Sequence, residues 1–153
     1  MPLTRRAFLT AAAAVPVIAF AASRGNAQTA RFYNNNGIAV DGSDVVAYFT
    51  EGRPVTGNAA HAATWMGVDW YFATEANRDS FAADPTAYAP QYGGYCAWAV
   101  AQGYTASTDP AAWRIVDGKL YLNFSPRIQR RWERDIPGNI AAGDRNWPGV
   151  LTA

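Results

Sequence analysis

Cys96 is the only cysteine in the sequence, and it follows shortly after the diglycine Gly93-Gly94. A Gly-Gly pair allows positive φ and turns backbone N–H groups inward. We therefore expect Cys96 near the first turn of a short helix that runs to about Gln102 and ends at Gly103. A thiol at a helix N-terminus lies at the positive end of the helix dipole, which favours the thiolate. These residues allow thiolate chemistry at Cys96, but on their own they favour the structural role of a small buried residue.

Three aromatic residues flank the cysteine along the chain, namely Tyr92, Tyr95 and Trp98. Together with Gly93-Gly94 we expect them to shape a pocket around the sulfur, because a dry aromatic collar shields a thiolate from water and oxidant. A structural interpretation stands beside this one. Free cysteines are among the most buried residues, and the same aromatics suit an ordinary core.

His61 is the only histidine, and it is the second candidate metal ligand after Cys96. A lone histidine more often has a structural role. If His61 begins a regular strand, Met66 lies on the opposite face, so these two side chains are not expected to bind one ion. A closed zinc site needs four ligands, which one Cys and one His do not supply. A soft ion of the cuprous type prefers sulfur and a low coordination number, and copper is therefore the favoured metal.

The first 27 residues have the features of an export signal rather than of a folded domain. Thr4–Leu9 contains an Arg-Arg pair, and a mildly apolar run from Ala11 to Ala22 follows it. The run is too short and too rich in alanine for a stable membrane span. We predict a twin-arginine signal over residues 1–27, export to the periplasm and no stable span after its removal.

The charge of the chain is nearly balanced, with 13 basic and 12 acidic residues. Three of the basic residues and none of the acidic ones fall within residues 1–27, so the remainder carries a net charge of −2. Strong attraction to nucleic acid or to an anionic membrane is not expected. One cysteine cannot form an internal disulfide, so an exported protein would keep a lone thiol in an oxidising compartment. The expected partner is a metal ion or an external thiol.

Hydrophobic periodicity predicts two hairpins. His61–Met66 and Asp69–Ala73 are typical of paired strands, with Gly67-Val68 as a two-residue turn. That register places Trp65 opposite Trp70, which would stabilise the hairpin. The second hairpin is predicted from Trp113 to Asn123 around a strong Asp-Gly turn.

Capping residues predict the helices that pack on these hairpins. Asp44 or Ser43 starts a short helix, Thr74 starts another over 75–84, and Ser125-Pro126 starts a third. The fold class is therefore α+β, a small single domain of short antiparallel hairpins packed with three to five short helices around an aromatic core. Residues 28–43 are predicted to be an extended lead-in, and 44–151 to be the domain.

Several arginines lie close together in the last third of the chain, namely Arg127, Arg130, Arg131 and Arg134. Acidic residues alternate with them on a predicted amphipathic helix. This pattern is more typical of a solvated face with local ion pairs than of an anion site.

A resemblance to a known family is carried by Tyr92-Gly93-Gly94-Tyr95-Cys96-Ala97. Before it stand Trp70-Tyr71-Phe72, the segment Asn77–Phe81, and Asp84-Pro85 with Tyr88. In these motifs and their order, the chain resembles the exported bacterial branch of the YHS-domain family from about Asp44 to Leu151. The resemblance implies a small cysteine-containing module associated with metals. Some relatives resemble selenoproteins with selenocysteine at the position of Cys96, which implies redox chemistry.

Three functions remain open from the sequence. A metal-binding module with a single thiolate is favoured, a thiol redox protein is the second hypothesis, and an accessory domain with an inert cysteine is the third. The sequence contains no phosphate loop, paired-carboxylate signature, Ser-His-Asp order or Cys-x-x-Cys motif. A binding protein is accordingly favoured over an enzyme.

Overall fold

The computed structural model describes residues 28–153, so the predicted signal over 1–27 lies outside the described residues. The strands are β1 Asn34–Asn35, β2 Ile38–Ala39, β3 Asn58–Trp65, β4 Val68–Phe72, β5 Asp109–Val116 and β6 Lys119–Asn123. The helices are α1 Val45–Thr50, α2 Glu75–Ala83, α3 Pro85–Tyr88, α4 Ala97–Gln102, α5 Pro126–Trp132 and α6 Ile136–Asn146. The predicted α+β class is confirmed. Among these helices, none is both long and apolar enough to cross a bilayer.

Two small sheets hold the strands. The first has the order β1-β2-β4-β3, in which β3 and β4 form an antiparallel hairpin and β2 joins β4 in parallel. The second is the antiparallel pair β5 and β6. Residues 28–43 are thus more than a lead-in, because they supply two strands of the larger sheet and bury Phe32 and Val40.

The first hairpin turns one residue earlier than the sequence predicts. Met66 and Gly67 form the turn with φ of 51° and 82°, a pair of positive values that suits the right-handed twist of the strands. Trp65 therefore pairs with Val68, and the prediction that it lies opposite Trp70 is wrong. Trp65 and Trp70 are diagonal neighbours, and their ring centroids still lie 5.8 Å apart.

Aromatic side chains dominate two buried clusters. In the first, the centroids of Trp70 and Phe81 are 5.1 Å apart, beneath the larger sheet. In the second, Tyr121 packs on Trp132 at 5.2 Å. Burial of these large rings is the main stabilising contribution to the fold. The segment that precedes Cys96 packs against β6, so the second cluster supports the candidate site.

Tyr48 is a buried tyrosine, and its ionisation makes the stability of the fold depend on pH in the alkaline range. Its hydroxyl donates to the carbonyl of Pro110 at 2.7 Å, and burial raises its pKa to about 12. The unfolded chain ionises near pH 10. The contribution of Tyr48 is therefore complete below pH 10 and is lost as the pH rises towards 12.

We expect Tyr48→Phe to lower the free energy of unfolding by about 1–2 kcal/mol at pH 7, since the Pro110 carbonyl loses its donor. The difference from the wild type should narrow above pH 10, because phenylalanine does not ionise in the unfolded state. Urea unfolding at pH 7 and pH 11 measures both quantities. If the two proteins differ in their free energy of unfolding by the same amount at pH 7 and pH 11, the link between Tyr48 ionisation and stability is contradicted.

Candidate functional site

The turn before the cysteine has the left-handed backbone that the glycines predict. Tyr92, Gly93 and Gly94 have φ of 57°, 63° and 80°, and Cys96 then caps the N-terminus of α4. The helix ends at Gly103, whose φ is 94°. The predicted helix to Gln102 and its glycine stop are confirmed.

The Cys96 side chain is buried, and its sulfur takes part in hydrogen bonds. Cys96 is 1% exposed, and its Sγ accepts a hydrogen bond from the backbone N–H of Phe124 at 3.2 Å. The thiol donates to Oδ1 of Asn123 at 3.6 Å, and the same oxygen accepts the N–H of Trp98 at 3.0 Å. The Cys96 amide donates to Ala106 at 3.0 Å. The orientation of the thiol is therefore set by hydrogen bonds as well as by packing.

Burial raises the pKa of the Cys96 thiol above its usual range. The backbone N–H groups of Ala99, Phe124 and Trp98 act in the opposite direction, but they do not outweigh the loss of solvation. The expectation that the helix terminus favours the thiolate is therefore only partly met. At neutral pH the neutral thiol predominates, with N–H donors already directed at the sulfur.

A cavity of about 290 Å³, here called the thiol cavity, opens beside the sulfur. Besides Cys96, its lining includes Trp98, Ala99, Tyr104, Phe124, Ile128 and Arg131. Tyr104 and Phe124 are 52% and 55% exposed, which is unusual for large apolar side chains. Cys96 thus lies in the wall of a cavity of small-molecule size.

Of the predicted aromatic collar, only Trp98 lines the thiol cavity. Tyr92 donates its hydroxyl to Asp144 at 2.9 Å, and it packs on Tyr121 in the second cluster. Tyr95 donates to the carbonyl of Ala30 at 2.6 Å. The two tyrosines tie the Gly93-Gly94 turn to α6 and to the segment around Ala30, and neither tyrosine lines the thiol cavity.

His61 is not among the residues that line the thiol cavity. It lies half-buried on β3, next to the bulge between Asn58 and Ala62. His61 and Cys96 therefore do not line the thiol cavity together.

The residues at the cavity fit a protein-ligated metal ion poorly. Cys96 is the only soft donor in the lining, and Arg131 places a positive charge in the same wall. Among residues 28–153, no group of three or more His, Cys, Asp and Glu side chains is arranged to hold a metal ion. The described lining of the thiol cavity supplies no second Cys, His, Asp or Glu side chain for an ion at Cys96.

Asn123, Phe124 and Arg131 are site residues that the sequence did not indicate. Asn123 carried a weak signal, because it is the one strongly polar side chain that ends the apolar run Leu120–Leu122. It is completely buried, and in the described part of the chain its Nδ2 has no hydrogen-bond partner. Arg131 carried none, since four arginines on one helix are typical of a solvated face.

Comparison of the chain with family models, with curated proteins and with solved structures gave no match. The resemblance to the YHS-domain family therefore stays a prediction from the motifs around Cys96, and the site is interpreted from its own geometry.

Proposed function

We propose that the protein is a thiol redox protein in which Cys96 is reversibly oxidised by a hydroperoxide and regenerated by an external thiol. The observation that carries the proposal is that Cys96 lines the thiol cavity and has the Phe124 N–H 3.2 Å from its Sγ. An N–H directed at sulfur stabilises the charge of a thiolate nucleophile. A lone cysteine in the described chain requires a resolving thiol from outside.

The first step forms an S–O bond between Cys96 and the terminal oxygen of the hydroperoxide, and the O–O bond breaks. Sulfur loses two electrons, the peroxide gains them, and the alcohol leaves with the thiol proton. The external thiol then attacks the sulfenic acid, which releases water and leaves a mixed disulfide. A second external thiol attacks that disulfide, which restores the Cys96 thiol and releases the oxidised external disulfide.

The test is to trap the sulfenic acid with dimedone after addition of hydrogen peroxide, with detection by mass spectrometry. We expect one adduct at Cys96 in the wild type and none in Cys96→Ser, which keeps an acceptor for the Phe124 N–H. Because burial raises the pKa of the thiol and the thiolate is the nucleophile, the rate should still be increasing as the pH rises from 7 to 9. Absence of the adduct in folded wild-type protein at pH 9 would refute the proposal.

Binding of a soft metal ion of the cuprous type is the second candidate. It is favoured by the space beside Sγ, which has room for a ligand from outside, and by the apolar lining of that space. In that case cuprous ion should raise the melting temperature of the wild type and not that of Cys96→Ser. His61→Ala should respond as the wild type does, because His61 does not line the cavity. A protein that gives neither the adduct nor the shift has an inert cysteine and acts as an accessory domain.

A further inference from the structure

The thiol cavity combines an apolar wall with one positive charge. Trp98, Phe124 and Ile128 provide the apolar surface, and Arg131 is the only charged side chain among the described lining residues. The guanidinium lies over the Trp98 ring, with Cζ 5.5 Å from the centroid. This cation–π contact holds the guanidinium at the cavity while its outer face stays exposed.

Arg131 has no carboxylate partner among residues 28–153. Arg127 and Arg134, about one turn away on either side, likewise have none within that part of the chain. Arg127, Arg131 and Arg134 are exposed, as the predicted solvated face requires, whereas the predicted local ion pairs do not form at these three arginines within residues 28–153. An exposed guanidinium without a carboxylate partner in this part of the chain can pair with an anionic ligand.

A second feature of the site is an unused donor next to the sulfur. Oδ1 of Asn123 is held by the Trp98 N–H, and this bond fixes which end of the amide is the oxygen. Nδ2 of the same fully buried amide has no partner within the described residues. A buried amide without a partner is rare in native proteins, although Asn123 itself is not in the lining of the thiol cavity.

We propose that the external thiol of the Cys96 reaction is a small organic thiol that carries a carboxylate. This inference rests on the redox function proposed above. The apolar body of the molecule packs against Trp98, Phe124 and Ile128, and its carboxylate pairs with Arg131. A volume of about 290 Å³ admits a molecule of small organic size and not a folded protein segment.

The test uses two disulfides that form the same type of bond with Cys96. The Cys96 thiolate attacks one sulfur of the probe, one S–S bond breaks and one forms, and an aromatic thiolate leaves. Dithiobis(nitrobenzoate) is anionic, and dithiodipyridine is neutral and also aromatic. We expect Arg131→Gln to lower the rate with the anionic probe about fivefold and to leave the rate with the neutral probe nearly unchanged.

Two variants are the controls. Arg131→Lys, which keeps the charge, should retain most of the preference for the anionic probe. Arg130→Gln removes an arginine of the same helix that does not line the cavity, and it should leave the ratio of the two rates unchanged. Circular dichroism and the melting temperature establish that each variant is folded.

If Arg131→Gln leaves the ratio of the two rates unchanged, also when both rates fall by the same factor, the carboxylate preference is overturned. If dimedone trapping is normal in the same samples, the redox function stands and only this inference fails. If the wild type reacts with neither probe and gives no dimedone adduct, both proposals fail together.

Discussion

Asp44→Ala is expected to lower the free energy of unfolding by about 4 kcal/mol or more, a large part of the total for a domain of this size. The Asp44 carboxylate is completely buried and accepts four hydrogen bonds. Its Oδ1 caps α1 through the N–H groups of Val46 and Ala47 at 2.9 and 3.1 Å. Its Oδ2 accepts from the N–H of Ala73 at 2.9 Å and from Asn77 at 2.8 Å. In Asp44→Ala all four donors lose their acceptor at a buried site.

Urea unfolding, followed by tryptophan fluorescence, measures this loss. Asp44→Asn should have a smaller effect, because the amide oxygen still caps α1 while its NH₂ group faces the donors of Ala73 and Asn77. Asp79→Ala is the matched control, since Asp79 is exposed and within residues 28–153 pairs with Arg78 alone, and it should change stability by less than about 0.5 kcal/mol. If Asp44→Ala lies within about 1 kcal/mol of the wild type, the capping argument is wrong.

Gly93→Ala is expected to lower the free energy of unfolding by about 3 kcal/mol or more and to weaken the packing that supports the candidate site. A Cβ at Gly93 would overlap the carbonyl oxygen of Arg31 and lie 3.1 Å from the ring of Trp147. The backbone there also has a φ of 63°, which disfavours a side chain. The Gly93 carbonyl accepts the N–H of Tyr33 at 2.9 Å, so the variant should also expose residues 28–33 to hydrogen exchange.

Gly103→Ala separates backbone strain from overlap. Gly103 has a φ of 94°, and a Cβ there would meet no atom within 4 Å. Gly103→Ala should lower the free energy of unfolding by about 1 kcal/mol, the value expected for backbone strain alone. Chemical denaturation of the two variants side by side gives the difference. Equal losses at the two glycines would show that the close approach of Arg31 does not matter.

Much of the secondary structure could be predicted because its causes are local. Asp44, Thr74 and Ser125 each accept a hydrogen bond from a backbone N–H two or three residues ahead, as their positions indicate. The Asp117-Gly118 turn likewise connects β5 to β6. In each case the interacting groups are neighbours in sequence, so their types reveal the contact.

The first hairpin shows how a local pattern can be misread by one residue. Gly67 suggested a turn that starts with glycine, whereas Met66 takes the positive φ and starts it instead. The diagonal contact of Trp65 with Trp70, and the burial of Trp70 against Phe81, accompany this register. Packing with distant residues outweighs the preference of one turn position for glycine.

The candidate site also has a part that the sequence predicts and a part that only the tertiary structure determines. The sequence alone identified Cys96, the left-handed Gly93-Gly94 turn and the helix that follows, because all three depend on residues only a few positions apart. Only the tertiary structure decided what surrounds the sulfur, since Asn123 contacts it from 27 positions along the chain and Arg131 lines the same cavity from 35. Burial then raises the pKa of the thiol, in opposition to the nearby N–H groups, and α5 places a guanidinium in the cavity wall. Solvation and long-range charge depend on which surfaces fold together, and for that reason the chemistry of Cys96 is set by the fold around it.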